Sequence, residues 1–187
     1  RSEGIDPANG RERFIKKNGL PTYTWDANDQ VVVGDNNPDA QGSVGLNVAY
    51  KGFYLNASFM YQWGAQSYNE TLLNKVENAD VRGSNVDRRV LTQRWMNPGD
   101  IAPFYDMGNQ TKTQVTTRFV QDYDYFNFSG LSLGYDFSRE LISKWRLRSL
   151  GLRFNMNDIC RWSTVKEERG TSYPFSRSFS FTLNIGI

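Results

Sequence analysis

Residues 177–187 read RSFSFTLNIGI, and their alternation is strict. Phe179, Phe181, Leu183, Ile185 and Ile187 take the odd positions, and Ser178, Ser180, Thr182, Asn184 and Gly186 take the even ones. A period of two is that of an extended strand with one apolar and one polar face. The polar face is small and neutral, unlike the Lys- and Glu-rich face of most soluble sheets.

The pattern recurs upstream. Val44, Leu46, Val48 and Tyr50 alternate with Gly45, Asn47 and Ala49. Lys51-Gly52 then predicts a tight turn, and Phe53, Leu55, Ala57, Phe59, Tyr61 and Trp63 resume the alternation as the second arm of a hairpin. A third strand runs through Leu131, Leu133, Tyr135 and Phe137. Phe126 and Phe128 lie upstream in the opposite phase, which predicts a bulge near Ser129-Gly130. A fourth runs through Leu150, Leu152, Phe154 and Met156 and loses phase at Asp158.

Strand length gives the pattern its meaning. Phe53–Trp63 and Arg177–Ile187 are as long as the roughly 9–11 tilted residues that cross a bilayer, whereas soluble strands average about 5–6. The links alternate in length as well: short at Lys51-Gly52, modest from Phe137 to Arg148, long from Trp63 to Tyr125, and intermediate from Trp162 to Phe175. Outer-membrane barrels have short periplasmic turns and long outer loops. That orientation puts Tyr50, Phe53, Tyr135 and Phe137 near one interface. Tyr61, Trp63, Tyr125, Trp162, Tyr173 and Phe175 fall near the other, which makes two aromatic belts.

Composition excludes several classes. Lys+Arg number 22 against 20 Asp+Glu, so the basic excess of a nucleic-acid binder is absent. There is no His, which removes the commonest general base and metal ligand, and the single Cys160 rules out a Cys-based zinc cluster. No nucleophile motif is present; neither an enzyme nor a cofactor is expected. Mean hydropathy is -0.62, and no run of about 18 apolar residues predicts a membrane helix. Barrel strands keep mean hydropathy low because only alternate residues meet lipid.

The fold expected is therefore all-β: antiparallel strands forming the C-terminal part of a large transmembrane barrel, with a long extracellular loop containing a short helix. Ser84 or Asn85 would cap that helix, with Val86, Val90, Leu91 and Trp95 on one face and Asn97-Pro98-Gly99 ending it. A second, weaker helical pattern covers Thr71–Val76. About five long strands fall short of the roughly eight that close the smallest membrane barrels. Open edges in lipid leave unpaired backbone groups at several kcal/mol each. The residues 1–187 are accordingly expected to be one segment of a longer barrel. The alternative is a secreted β-sandwich carbohydrate-binding module, with its tryptophans as the platform.

Several ordered runs carry a family resemblance. They are Gly4-Ile5-Asp6-Pro7-Ala8-Asn9-Gly10; Tyr50-Lys51-Gly52-Phe53; Val86-Asp87-Arg88-Arg89-Val90-Leu91 with Arg94-Trp95 and Pro98-Gly99-Asp100; Arg118-Phe119-Val120; Leu131-Ser132-Leu133-Gly134-Tyr135-Asp136-Phe137; Asn155-Met156-Asn157-Asp158-Ile159; and Arg169-Gly170-Thr171-Ser172-Tyr173-Pro174. Together they resemble the carboxyl end of SusC/RagA-type TonB-linked transporters of the Bacteroidota outer membrane. The resemblance implies a plugged barrel of roughly 22 strands that imports glycans or peptides under a SusD-like lipoprotein lid. TonB would engage the plug, and plug and upstream strands would complete the same barrel. One departure is the last residue, Ile187, where such barrels often end in an aromatic.

Candidate contacts follow. Trp95, Phe104 and Tyr105 could meet substrate or lid, although packing of the loop against itself is the favoured reading, since long ordered loops need an apolar core. Asp87, Arg88 and Arg89 could bind a charged ligand but more often make local ion pairs. Arg153 and Asp136 would face the lumen as an ion pair. Glu167 and Glu168 are too close in sequence to act as an acid pair across a cleft. Phe179, Phe181, Leu183, Ile185 and Ile187 would face lipid. No metal site is expected.

Overall fold

The computed structural model describes residues 1–83, 85–109, 111–166 and 177–187. Two compact units emerge: Arg1–Asn36 with Gln66–Asp122, and Asn37–Ala65 with Tyr123–Ile187. In chain order the described strands are β1 (Ser2–Ile5), β2 (Glu12–Ile15), β3 (Pro21–Thr22), β4 (Ala40–Tyr50), β5 (Phe53–Trp63), β6 (Gln66–Tyr68), β7 (Val120–Asp122), β8 (Tyr125–Asp136), β9 (Ser149–Ser163) and β10 (Phe179–Gly186). The fold is all-β and antiparallel, with short helical turns in its connections.

The second unit is a five-stranded sheet in the order β10-β9-β8-β5-β4, with β4 and β10 as its edges. β4, β5, β8 and β9 span 11, 11, 12 and 15 residues, while β10 is described over 8. The alternation expected over 177–187 therefore forms a somewhat shorter strand, with Ile187 just beyond it. The β4–β5 hairpin closes through Lys51 (φ 47°) and Gly52 (φ 87°). Two left-handed residues in a two-residue loop match the right-handed twist of the arms. Glycine is needed at the second position also for space, because a β-carbon there would press on the Asp136 carbonyl.

The bulge near Ser129 forms and explains the change of phase. β5 steps from Ala57 to Phe59 while β8 steps from Leu131 back to Phe128, so β8 carries one extra residue. Ser129 Oγ donates to the Ser58 carbonyl at 3.0 Å across this point. On β9 the matching step runs from Met156 to Cys160, and Asp158 takes a φ of 54°. The insertions keep Phe126, Phe128 and Trp162 on the same face as Leu131, Leu133 and Phe154.

The first unit joins the amino-terminal stretch to the long excursion. β1, β2 and β3 form one small sheet, and β6 pairs with β7. Its core is Leu72, Val76, Val90, Phe104 and Phe119, with Tyr68, Leu73, Val86 and Met107 packed around it. The helix expected near Val86–Trp95 shrinks to one turn, Arg89–Thr92. Asp87 makes the turn start late: its carboxylate accepts from the Arg89 backbone at 2.8 Å and from the Arg89 guanidinium at 2.9 and 2.7 Å, capping the N-terminal end. Beyond the turn, Arg94 pairs with Phe104 in a backbone bridge, and the Trp95 N–H donates to the Phe104 carbonyl at 2.9 Å. The better-formed helix is the weaker pattern, Glu70–Leu72 continuing as a π-turn Leu73–Glu77, with Asn69 Oδ1 capping Leu72 at 3.0 Å.

Candidate functional site

The register of the five-stranded sheet builds two chemically opposite faces. One row runs Val48–Leu55–Leu133–Phe154–Phe181, and the next runs Tyr50–Phe53–Tyr135–Leu152–Leu183. Both are apolar across all five strands. The intervening rows are polar: Asn47–Asn56–Ser132–Asn155–Ser180, and Ala49–Tyr54–Gly134–Arg153–Thr182. Ser132 Oγ donates to Asn155 Oδ1 at 2.8 Å, and Asn155 Nδ2 reaches Ser180 Oγ at 3.5 Å, so the polar face is tied laterally.

The apolar face lies open. Phe181 is 69% exposed and Leu183 59%, with Phe179, Ile185, Ile187, Val44, Leu46, Val48 and Tyr50 also exposed. A β-sandwich buries one such face against a second sheet as its core. An unburied apolar face of this extent does not fit that reading and marks contact with something apolar. Aromatic pairs stand toward both ends of the strands. Phe53 and Tyr135 are 4.2 Å apart with Phe137 beyond at 4.8 Å; at the far end Tyr61–Trp63 are 4.8 Å apart and Phe126–Trp162 5.9 Å.

Two expectations are revised here. Tyr125 turns to the polar face, where the Arg161 guanidinium lies 4.2 Å above its ring, and Phe126 takes its place on the apolar side. The reason is strand parity: the ring that pairs with Trp162 is Phe126. Arg153 lies 5.5 Å over the Tyr54 ring rather than pairing with Asp136. Register decides this, since Arg153 sits opposite Gly134 while Asp136 sits opposite Gly151. Tyr173, Phe175, Glu167, Glu168 and the Ser84 cap lie outside the described residues. Cys160 sits on the apolar face opposite Phe128, partly buried.

In the first unit the loop aromatics point inward. Trp95 is 9% exposed, Phe104 5% and Tyr105 5%. Trp95 Nε1 donates to the Pro7 carbonyl at 3.0 Å, and its ring occupies the space a β-carbon on Gly10 (φ 68°) would need. Tyr105 Oη donates to the Thr111 carbonyl at 2.6 Å, and burial pushes its phenol pKa up, against a smaller opposing effect of the Thr113 hydrogen bond. Phe104 and Tyr105 pack within the loop, while Trp95 packs against the amino-terminal stretch at Pro7 and Gly10.

Sequence reasoning missed the unit's electrostatic centre. Arg118 bridges two buried carboxylates: Glu12 at 2.8 Å through Nη2, and Glu77 at 2.9 Å through Nη1 and again through Nη2. Thr116 Oγ1 donates to Glu12 at 2.5 Å and Thr113 Oγ1 to Glu77 at 2.9 Å. Arg118 Nη1 also donates to the Pro103 carbonyl at 2.6 Å. Burial opposes the charge on Arg118, but hydrogen bonds to Glu12 and Glu77 outweigh it and hold the guanidinium pKa above its ordinary value. The partners lie 106 and 41 positions away along the chain, so no local pattern announces them. Nearby, Arg94 donates to the carbonyls of Tyr105 at 3.0 Å and Asp106 at 2.8 Å. These contacts stiffen the unit.

No protein-family model matches the sequence, and no curated protein matches it. Solved structures do. The RagAB peptide importer in its open-open state contains a chain that superposes with a TM-score of 0.75 over 100% of this chain at 16% identity. The closed-closed state gives 0.68 over 97% at 15%, and a further structure of the RagAB peptide transporter gives 0.69 over 88% at 16%. The chain spans 22%, 22% and 18% of those neighbours. At this identity the likeness is one of fold. The neighbours are transporters rather than enzymes.

Proposed function

We propose that this chain is a carboxyl-terminal segment of the wall of an outer-membrane importer of the SusC/RagA type. The observation that carries the reading is the exposed apolar face, continuous across five strands and backed by a small, mostly uncharged polar face. In this reading the apolar rows meet lipid, with Phe179, Phe181, Leu183, Ile185 and Ile187 on the last strand. The row Asn47–Asn56–Ser132–Asn155–Ser180 lines the lumen. The free edges of β4 and β10 pair with further strands of the same barrel, because unpaired backbone in hydrocarbon costs several kcal/mol per group.

The remaining parts follow from the family resemblance. The Lys51-Gly52 turn and the 137–148 connection face the periplasm, and the long loop from Trp63 to Tyr125 lies outside the cell. There it contacts a SusD-like lipoprotein and borders the substrate space, with Trp95, Phe104 and Tyr105 anchoring the loop that makes the contact. Exposed Met96 and Ile101 beside them offer apolar surface to such a partner. Import is driven through TonB acting on the plug. The cargo is a peptide or a glycan, and the fold likeness to peptide importers supports the peptide.

Fractionation tests the reading. Expressed in its native cell, the chain should sediment with outer membranes and need detergent for extraction. A chain that stays in the soluble fraction as a monomer would overturn it.

A further inference from the structure

The short-turn end of the five-stranded sheet combines two features that the wall reading does not use. The first is a groove of about 420 Å³ on the apolar face, bordered by Tyr50, Phe53, Leu55, Leu133, Tyr135 and Phe154. Its lining is almost entirely hydrocarbon and aromatic. The second is charge. Lys51 sits in the turn at the groove's end, its Nζ 5.2 Å over the Tyr50 ring. The 137–148 connection starts beside that turn, where the Asp136 backbone donates to the Gly52 carbonyl at 2.8 Å, and it returns at Arg148, whose backbone donates to the Gly186 carbonyl at 2.8 Å.

That connection carries Arg139, Lys144, Arg146 and Arg148, all exposed or partly exposed. With Lys51 they make five cations against two carboxylates, Asp136 and Glu140. Among the described residues none of the five forms an ion pair. Exposed Trp145 and Leu141 lie among them, while Ile142 is buried as the connection's anchor. Cations interleaved with an exposed Trp and Leu are the pattern of an element lying in a lipid headgroup layer.

We infer that this end of the sheet is a binding site for an anionic phospholipid. An acyl chain lies in the Tyr50–Phe154 groove, and the headgroup phosphate is held by Lys51 and the basic 137–148 connection. The inference rests on the wall reading and adds to it a headgroup preference at one rim. The apolar lining excludes a free anion as the occupant, since only a ligand with both a hydrocarbon chain and a negative head satisfies both parts. The charge excess selects an anionic over a zwitterionic lipid.

The test uses the importer containing this chain, extracted from outer membranes and placed in phosphatidylcholine nanodiscs. Each preparation carries a minor amount of phosphatidylglycerol or phosphatidylcholine with a photoactivatable acyl chain. Peptides bearing Tyr50–Leu55 and Leu133–Tyr135 should be labelled about fivefold more by the phosphatidylglycerol probe, the gain expected for one effective cation at a lipid surface. Lys51→Gln combined with Arg148→Gln should bring the two lipids toward parity. Equal labelling by both lipids in the unmodified protein, or labelling spread evenly along the whole apolar face, would overturn the site while leaving the wall reading intact. No labelling of the sheet by either lipid would instead contradict the wall reading itself.

Discussion

Tyr54 on β5 lies across Gly134 on β8, its ring filling the space where a β-carbon would stand. Arg153, the next residue in the same row, places its guanidinium 5.5 Å over that ring from the other side. A glycine that would weaken a strand by itself is thus covered by a neighbouring aromatic, a device that restores lost contact in sheets.

Gly134→Ala should therefore destabilise the sheet by about 1–3 kcal/mol, the usual cost of overpacking. Tyr54→Ala should relieve that clash, so the double variant should lose clearly less than the two single losses added together. Urea unfolding of the extracted protein in detergent measures all three. Additive losses would show that the ring does not depend on the glycine.

The two sides of β10 should respond differently to charge. Leu183→Arg, near mid-strand on the apolar face, should cost about 2–4 kcal/mol if it stands at the bilayer midplane. Ser180→Arg, on the polar face beside Asn155, should cost less. The measurement is the amount of folded barrel in outer-membrane preparations. Equal amounts for the two variants would count against the assignment of faces.

Breaking the Arg118 hub should unfold the first unit while sparing the sheet. Arg118→Met leaves Glu12 and Glu77 buried without their cation, and removing one partner of a buried ion pair costs about 3–5 kcal/mol. Limited proteolysis should then cut within 66–122 while the strands of the second unit stay resistant. Protection equal to the unmodified protein would show the hub to be dispensable.

Stability of the first unit should be flat from about pH 6 to 9, because the chain has no His to titrate there. The alkaline limb has a definite sign. Burial raises the Tyr105 phenol above its ordinary value of 10.0, so the folded state resists ionisation that the unfolded state accepts. Its contribution is whole below about pH 10 and is lost as pH climbs through the raised value. Arg118, also raised, keeps its charge over that range. Tyrosinate absorbance followed alongside circular dichroism should show unfolding beginning above about pH 10, and Tyr105→Phe should shift that onset upward. An unchanged onset in Tyr105→Phe would point to another group.

The sheet was legible in the sequence because its information is local. Lys51-Gly52 supplies the turn, and period two assigns each side chain to a face. The phase slip between Phe128 and Leu131 marks the bulge through residue order alone. The first unit was far less legible. Its core joins Leu72, Val76 and Val90 to Phe104 and Phe119 from separate turns, and Arg118 meets Glu12 across 106 positions. The helix near Val90 was read too long because apolar spacing does not show that Asp87 caps the Arg89 N–H and so delays its start. Likewise, Tyr125 was placed in the outer belt by its position at the strand end, whereas the phase of Phe126 and Phe128 across the bulge gives the apolar side to Phe126.

The most direct test of the membrane-wall account is site-directed spin labelling along β10 in the native outer membrane, one position at a time, with the Cys160 background replaced. Labels at 179, 181, 183 and 185 should be relaxed strongly by oxygen, which concentrates in lipid, and weakly by a water-soluble nickel chelate. Labels at 180, 182 and 184 should show the reverse, giving a period of two. The account would be contradicted by labels at 181 and 183 reached by neither reagent, as in a packed protein core, or reached chiefly by the nickel chelate, as on a face bathed in water.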